Sequence, residues 1–336
     1  MQRLRLDPEG DNTDAYVEAA RILRAGGLVA FPTETVYGLG ALALDEGAVR
    51  KIFAAKGRPP DDPLIVHVRP QWDLTDLVAD VPALARELID AFWPGPLTIV
   101  INKGPAVPWA VTSGLPDVAL RAPDHWLTAS LLDVVAEPLA APSANRFSYV
   151  SATTADHVED DLGDSVDLIL DGGPASAGIE STVVRVDGSD VIILRHGALT
   201  AERLRQGVPR IGRVSSAVRD DDASASPGRM LKHYSPATRT VAMQAGANPK
   251  GLDSGERPCL LTYSEHALEP LEGWTTVSLG VREDLDQVAR DLYSKLRECD
   301  RRGHDLIVIE LTGLPGLGAA LDDRITRAAS GRVLGR

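Results

Sequence analysis

The stretch that decides the fold runs from Gly26 to Val68 and reads GGLVAFPTETVYGLGALALDEGAVRKIFAAKGRPPDDPLIVHV. It predicts a buried strand at Leu28–Phe31, where an apolar run follows a glycine pair that ends a helix. A helix is then predicted from about Asp45, a suitable N-cap, to Lys56. Gly57 and the two prolines behind it end that helix, because glycine accepts the left-handed conformation and proline cannot continue a helix.

A second strand is predicted at Leu64–Val68, directly after this helix. Its period-two alternation places His67 on the face opposite Leu64, Val66 and Val68. The segment Pro32–Thr35 leaves the first strand with small hydroxyl groups and a carboxylate that can face a ligand. The stretch therefore predicts a strand–helix–strand unit with polar groups gathered around it, which has the character of a binding site.

The composition indicates a soluble globular protein with two domains. The chain has 336 residues, of which 44% are hydrophobic and 25% are charged, and about 150 residues is a common domain size. The formal net charge of -13 argues against binding to nucleic acid through a broad basic face, although it allows a local basic pocket.

The cysteines and the N-terminus indicate an intracellular location. Cys259 and Cys299 match no metal-binding spacing and cannot form a disulfide framework. The N-terminal sequence MQRLRLDPEGD lacks the apolar core of a signal peptide, and no apolar run approaches the length of a transmembrane helix. We expect a cytoplasmic protein with no membrane segment.

Strands and helices alternate along the chain, but a hairpin is predicted about Asp187–Gly188, which favours a mixed sheet over a purely parallel one. The composition changes near residue 200, and the alternation restarts with a strand at Cys259–Tyr263. We therefore predict a first domain over residues 1–212, a linker over 213–237, and a smaller α/β domain over 238–336.

Several side chains are candidates for binding an anion. Lys51, Lys56 and Arg58 surround one helix end and could hold a polyphosphate, or they could be solvated cations that favour the helix dipole. Arg195 leaves an apolar strand, where burial requires an anionic partner from the protein or a ligand. The turn APSAN, Ala141–Asn145, could present donors to a phosphate, or it could be an ordinary turn. No Walker A loop or GxGxxG fingerprint occurs.

The order of these motifs resembles the threonylcarbamoyl-AMP synthase family, whose catalytic module is the YrdC-type domain. The matching segments are FPTETVYGLG (Phe31–Gly40), KGR (Lys56–Arg58), PLIVH (Pro63–His67), WPGPLT (Trp93–Thr98), VALRAP (Val118–Pro123), APSAN (Ala141–Asn145), DGG (Asp171–Gly173), GIESTVV (Gly178–Val184), Arg195 and SPGRMLKHYSP (Ser226–Pro236). Near the C-terminus, GLGAALDDRITRAAS (Gly316–Ser330) resembles the extra domain of the longer, two-domain members.

The resemblance implies a YrdC-type twisted mixed sheet around a large basic cavity, plus a smaller C-terminal, Rossmann-like α/β domain. It implies synthesis of an adenylate from L-threonine, bicarbonate or CO2, and ATP with Mg²⁺, with release of pyrophosphate. The product would pass to a tRNA threonylcarbamoyl-transferase complex that modifies adenosine beside the anticodon, with weak or transient tRNA contact. The linker 213–237 would act as a lid over the active site.

The resemblance also assigns site residues by position. Residues expected around L-threonine are Thr35, His67, Arg121 and Ser181. Residues expected to hold ATP are Lys51, Arg58, Asp62, Thr112, Ser143, Ser151, Arg195 and Tyr234. Residues expected to be catalytic are Lys56, Arg58, Ser143 and Asn145, acting through position and charge rather than as a covalent nucleophile. No protein metal ligand and no general base are assigned. Asp62 departs from the family, which commonly has asparagine there, and an acidic group would repel phosphates.

Two other functions stay open at this level. An RNA-binding module without adenylate synthesis would use the arginines between Arg203 and Arg219 and would show a steep salt dependence. A carbamoyl-transfer maturation factor would use a related domain, although the zinc-finger cysteines of such proteins are not found in this sequence.

Overall fold

The computed structural model describes residues 1–216, 233–249, 252, 255, 257–263 and 271–335, and these form two compact units. The first unit contains residues 1–147, 152–176 and 180–216. The second contains residues 148–151, 177–179 and the described residues from 233 onward. Most of the predicted linker, including Arg219 and the start of SPGRMLKHYSP, lies outside the described residues, so the division at 212 and 237 stays a prediction.

The first unit alternates strands and helices. Its strands are β1 (Gln2–Arg5), β2 (Val29–Pro32), β3 (Tyr37–Leu42), β4 (Ile65–His67), β5 (Leu97–Asn102), β6 (Asp117–Arg121), β7 (Leu139–Ala140), β8 (Leu168–Asp171), β9 (Thr182–Asp187), β10 (Asp190–Arg195) and β11 (Val214–Ser216). Its α-helices are α1 (Thr13–Arg24), α2 (Glu46–Lys56), α3 (Ala83–Phe92), α4 (Trp109–Thr112), α5 (Trp126–Val135), α6 (Ala155–Leu162) and α7 (Ala201–Gly207).

These strands form a sheet in the order β1-β8-β2-β3-β7-β4-β6-β5-β9-β10-β11. The sheet is mixed: β4 pairs with β6 in parallel, whereas β5 pairs with β6 and β9 with β10 in antiparallel orientation. The β9–β10 hairpin turns between Asp187 and Asp190. The mixed sheet that the sequence predicted is therefore confirmed.

The two faces of the central strands differ, and this difference positions the site. On one face, Val66, Ile99 and Leu120 join the main apolar core together with residues of α2, α3 and α4. On the other face, Ile65, Val100 and Ala119 belong to a small separate apolar cluster. His67 shares that second face by alternation along β4, as the sequence predicted. The second face of these strands therefore carries polar side chains beside a small apolar cluster, whereas the first face packs into the main core.

Helix α2 begins and ends where its local chemistry requires. The Asp45 carboxylate accepts hydrogen bonds from the amides of Gly47 and Ala48, at 2.9 and 3.1 Å. At the other end Gly57 has φ 62°, a left-handed conformation that only glycine adopts without strain. The amide of Arg58 then donates to Phe53 O at 2.9 Å. These caps fix where Lys56 and Arg58 leave the helix.

Strand β3 is one of the elements that the sequence did not predict, because glycines interrupt its apolar run. It pairs antiparallel with β2, and Tyr37 lies opposite Pro32. A Cβ atom at Gly40 would lie 2.5 Å from the Phe31 ring, so glycine is required for the hairpin to close around that ring. The segment 33–36 becomes the turn of this hairpin rather than an open loop.

The second unit is a smaller α/β domain, as predicted. Its elements are β12 (Arg239–Met243), β13 (Pro258–Thr262), β14 (Thr275–Ser278), α8 (Leu285–Arg301), β15 (Leu306–Glu310), α9 (Leu317–Ala328) and β16 (Val333–Leu334). The sheet order is β14-β13-β15-β12-β16, and every described pair is parallel.

Cys259 and Cys299 are buried free thiols whose sulfur atoms lie 3.4 Å apart.

Within the described ranges, no helix combines the length and the hydrophobicity that crossing a bilayer demands.

Candidate active site

Three polar side chains form a row across the central strands of the first unit. His67 on β4 lies beside Arg121 on β6, and Thr98 on β5 lies on the other side of Arg121. Because directly paired residues point to the same face of a sheet, the imidazole, the guanidinium and the hydroxyl are neighbours. We call these three residues the polar row.

Arg121 is buried and forms an ion pair with a residue that the family assignment did not include. Its Nη2 lies 2.7 Å from Oε2 of Glu34, and its Nε donates to Gly95 O at 3.4 Å. Glu34 is itself buried, in the β2–β3 turn. The carboxylate of Pro32–Thr35 was noted in the sequence as a group that can face a ligand, but its pairing with an arginine was not predicted.

The same turn presents two hydroxyl groups. Thr33 Oγ1 donates to Val36 O at 2.7 Å, and the Thr33 and Thr35 hydroxyl oxygens lie 2.8 Å apart. Since a hydroxyl has one proton, Thr35 must be the donor between them. The lone pairs of Thr35 are left to accept a hydrogen bond from a ligand.

Ser181 connects the polar row to Arg195. Its hydroxyl lies 2.8 Å from Thr98 Oγ1 and accepts from Arg195 Nη2 at 3.1 Å. Arg195 also donates to Ser181 O, from Nε at 3.2 Å and from Nη2 at 3.0 Å. The backbone carbonyl and the hydroxyl group of Ser181 thus orient the guanidinium of Arg195.

His67 is neutral at physiological pH. Burial, together with the positive charge of Arg121, lowers the pKa of His67 to about 3. Its Nδ1 atom is buried, and no hydrogen bond to it is found among the described residues. The imidazole can therefore donate or accept a hydrogen bond to a ligand but supplies no charge.

Lys56 fastens the APSAN turn to the end of α2. Its Nζ donates to Ser143 O at 2.5 Å and also to Asn145 O. The turn is held from the other side by β3, through Leu39 N to Pro142 O at 2.9 Å and Ala144 N to Tyr37 O at 2.8 Å. The structure thus brings together Lys56, Ser143 and Asn145, three of the four residues expected to be catalytic.

Arg58 is fixed by the segment that follows it. Its Nε donates to Asp62 O at 3.1 Å, its Nη2 donates to Pro63 O at 2.8 Å, and the same Nη2 lies 2.9 Å from Asp62 Oδ2. Leu64 N donates to Val111 O at 2.8 Å, which brings Thr112 to this region. We call Lys56, Arg58 and their partners Asp62, Ser143 and Asn145 the cation cluster.

The carboxyl group of Asp62 is not in a favourable environment for its charge. Burial raises its pKa above the ordinary value, and this outweighs the opposite effects of Arg58, Lys56 and Arg195. The charge of Arg195 therefore acts on a member of the cation cluster.

We expect Asp62→Asn to raise the melting temperature at pH 7. A carboxyl group whose pKa is raised by folding contributes stability below its unfolded pKa and loses it as the pH rises through the folded value. Asparagine stays neutral at every pH, so its advantage should shrink towards pH 4. Thermal unfolding at both pH values tests this, with Asp61→Asn, an exposed neighbour, as the control. A lower melting temperature for Asp62→Asn at pH 7 would mean that the Arg58 ion pair outweighs burial.

Three assigned residues have other contacts within their own units. Lys51 is exposed, and its Nζ donates to Gly26 O at 2.5 Å, so the structure does not bring it to the cation cluster. Ser151 and Tyr234 belong to the second unit. There Ser151 O accepts from Arg297 Nε at 3.4 Å, and the Tyr234 ring stacks on Tyr293 with centroids 5.6 Å apart.

The polar row offers a guanidinium, hydroxyl groups and a neutral imidazole, which together suit a carboxylate ligand that also carries a hydroxyl group. The cation cluster and Arg195 suit phosphate groups. The first unit is thus a mixed α/β fold that carries two groups of side chains suited to anionic ligands.

Comparison with known proteins extends this description. The family described as telomere recombination (Sua5, YciO and YrdC) matches residues 21–197, and the threonylcarbamoyl-AMP synthase C-terminal domain matches residues 199–330. The threonylcarbamoyl-AMP synthase of Pyrococcus abyssi is 37% identical over 94% of each chain. That of Bacillus subtilis is 39% identical and covers 98% of this chain and 96% of its own. The crystal structure of P. abyssi Sua5 complexed with L-threonine has a TM-score of 0.87 at 36% identity, covering 99% of this chain and 98% of the other.

The chain belongs to the threonylcarbamoyl-AMP synthase family. The resemblance in its motifs is thereby confirmed, and the protein is an enzyme of the nucleotidyltransferase type.

Proposed function

We propose that this enzyme makes L-threonylcarbamoyl-AMP from L-threonine, bicarbonate or CO2, and ATP, releasing pyrophosphate, for threonylcarbamoyladenosine modification of tRNA. The names of the relatives and the L-threonine complex of the P. abyssi protein support this. In this chain the supporting observation is Ser181, which contacts both Thr98 of the polar row and Arg195. One residue thus connects an amino-acid subsite to a phosphate-binding arginine.

L-threonine binds at the polar row in this proposal. Arg121 pairs with the α-carboxylate, since a guanidinium matches two carboxylate oxygens. The free lone pairs of Thr35, the hydroxyl of Ser181 and the neutral ring of His67 are available for the hydroxyl group of the substrate. A buried site made of hydroxyl partners discriminates against amino acids that lack the hydroxyl, because its own polar groups would then stay unpaired.

ATP binds at the cation cluster, within the large basic cavity that the family resemblance predicts. Lys56, Arg58 and Arg195 face the triphosphate, and Ser143, Asn145 and Thr112 lie beside them. Mg²⁺ enters on the phosphates of ATP as part of the substrate, because the carboxylate of Asp62 is already paired with Arg58. Within the described residues no group of three or more histidine, cysteine, aspartate or glutamate side chains could hold a metal ion.

The protein accelerates the reaction through position and charge. The amine of threonine is carboxylated to a carbamate, one oxygen of which attacks the α-phosphorus in line while pyrophosphate departs. Arg121 orients threonine so that the carbamate oxygen can approach the α-phosphorus in line. Arg58 and Lys56 stabilise the negative charge that develops on the departing pyrophosphate. The backbone partners of Lys56 and Arg58 hold both cations in place before the substrate arrives.

The remaining assignments stay predictions. These are the roles of Lys51, Ser151 and Tyr234 at the nucleotide, the action of residues 213–237 as a lid, the cytoplasmic location, the transient tRNA contact and the transfer of the labile product to a tRNA threonylcarbamoyl-transferase complex.

Pyrophosphate release from ATP tests the proposal when L-threonine and bicarbonate are omitted in turn. We expect release to require both, and L-serine to replace L-threonine poorly. Release that continues without threonine would contradict the proposed function. RNA binding with a steep salt dependence and no threonine-dependent chemistry would instead favour the RNA-binding alternative.

A further inference from the structure

Glu34 is a buried carboxylate with unused capacity to accept hydrogen bonds. Its ion pair with Arg121 is 2.7 Å long, yet within the described ranges neither Oε1 nor Oε2 accepts a hydrogen bond of good geometry. Only 7% of the residue is exposed. A buried carboxylate whose charge is paired but whose hydrogen-bonding capacity is not fully used can accept a hydrogen bond from a bound ligand.

The groups that face Glu34 come from several elements. Among the described residues, the ion pair of Glu34 is with Arg121 on β6. His125 precedes α5, and its pKa is affected by the negative charge of Glu34. His67 on β4 lies next to Arg121. Burial lowers the pKa of both histidines, so neither changes its charge between pH 7 and pH 9. Across that range the environment of Glu34 therefore keeps a constant charge.

An α-amino acid zwitterion matches this arrangement. Its carboxylate and ammonium groups lie on the same carbon, and Arg121 and Glu34 lie side by side with opposite charges. When the substrate carboxylate binds Arg121, the adjacent Glu34 faces the ammonium group, and one ion pair within the protein becomes two ion pairs with the ligand. The hydroxyl groups of Thr35 and Ser181 then remain for the substrate side chain.

We propose that Glu34 binds the α-ammonium group of the amino-acid substrate and accepts the proton that it must lose. This inference rests on the proposed function, because it concerns the amine that is to be carboxylated. An N–H bond breaks, its electron pair stays on nitrogen as the attacking lone pair, and an O–H bond forms on Glu34. The amine and bicarbonate then give the carbamate and water, so one proton is removed per turnover. Glu34 returns that proton to solvent when the product leaves.

Burial makes proton transfer from the ammonium group to the carboxylate less unfavourable than it is in water. In water an ammonium group is a much weaker acid than a carboxylic acid, but desolvation penalises both charges of a buried ammonium–carboxylate pair and favours the neutral amine and acid. His67, which lies next to Arg121, carries no charge at neutral pH because its pKa is about 3. Glu34 is the carboxylate that the ion pair with Arg121 places beside the ammonium group of the bound amino acid.

The test compares the pH dependence of pyrophosphate release for the wild type, Glu34→Gln and Glu34→Asp. Glutamine can still accept a hydrogen bond from the ammonium group but cannot take its proton. We expect Glu34→Gln to lower kcat about a hundredfold at pH 7. Its kcat should then rise about tenfold per pH unit towards pH 9, as the fraction of free amine grows, and the KM for threonine should rise because the ammonium group loses its charged partner. Glu34→Asp should lose rate but keep the wild-type pH profile. Glu46→Gln, an exposed carboxylate paired with Arg50, is the control.

A Glu34→Gln profile parallel to that of the wild type would overturn the proton transfer. If Glu34→Gln does not fold, wild-type calorimetry decides on the ammonium contact by comparing L-threonine with (2S,3R)-2,3-dihydroxybutanoate, in which a hydroxyl replaces the ammonium group. We expect the hydroxy acid to bind at least about thirtyfold more weakly, and equal affinities would overturn the inference. A wild-type enzyme without threonine-dependent activity would contradict the proposed function instead.

Discussion

Replacing Lys56 by alanine should lower the rate of pyrophosphate release about 10³-fold. The ammonium group is buried and is held by the carbonyl oxygens of Ser143 and Asn145, so its position is fixed before ATP binds. A preorganised positive charge of this kind stabilises a departing pyrophosphate without reorganisation, and removal of one such group typically costs a factor of 10² to 10³. The same change also releases the 143–145 turn from helix α2, which adds to the loss.

Arg50→Ala is the matched control, because it removes an exposed cation from the same helix. Its activity should equal that of the wild type. Lys56→Arg keeps the charge, but the larger planar group cannot lie between the same two carbonyl oxygens, and we expect it to restore less than a tenth of the lost rate. Circular dichroism and the melting temperature would show whether Lys56→Ala is folded. Near-normal release by folded Lys56→Ala would contradict the role of this cation.

The elements of the site that could be predicted from the sequence are those set by local chemistry. Asp45 and Gly57 define helix α2 by capping, and alternation along β4 places His67 away from the main core. These interactions involve residues a few positions apart, so the sequence contains them directly. Strand β3 was not predicted because glycines interrupt its apolar run. At Gly40 the reason for glycine is the Phe31 ring on the paired strand β2, which the sequence pattern does not reveal.

The pairings at the site could not be predicted in this way. Lys56 meets carbonyl groups 87 and 89 residues away, and Arg121 meets Glu34 across a comparable distance in the chain. Such contacts follow from the order of strands in the sheet, which local patterns do not determine. Lys51 and Lys56 look equivalent in the sequence, yet five residues of helix rotate their side chains roughly 140° apart. Only one of them therefore reaches the cation cluster.

Arg121→Met is the second change with a large expected effect. Methionine fills a similar volume but removes the guanidinium that would pair with the carboxylate of threonine. Loss of a buried charge pair with a substrate costs about 3–4 kcal/mol, so kcat/KM for threonine should fall about 10²- to 10³-fold. The KM for ATP should change little, since the cation cluster is built from other residues.

Arg121→Met should also destabilise the fold, because Glu34 would keep a buried charge without its partner. Removing one member of a buried ion pair typically costs about 3–5 kcal/mol. The double variant Arg121→Met/Glu34→Gln carries neither charge and should regain much of that stability, measured by denaturant unfolding. It should not regain activity, because neither end of the amino acid would then have a charged partner. A double variant that recovers threonine turnover together with stability would show that Arg121 and Glu34 serve the fold alone, and threonine would have to bind elsewhere.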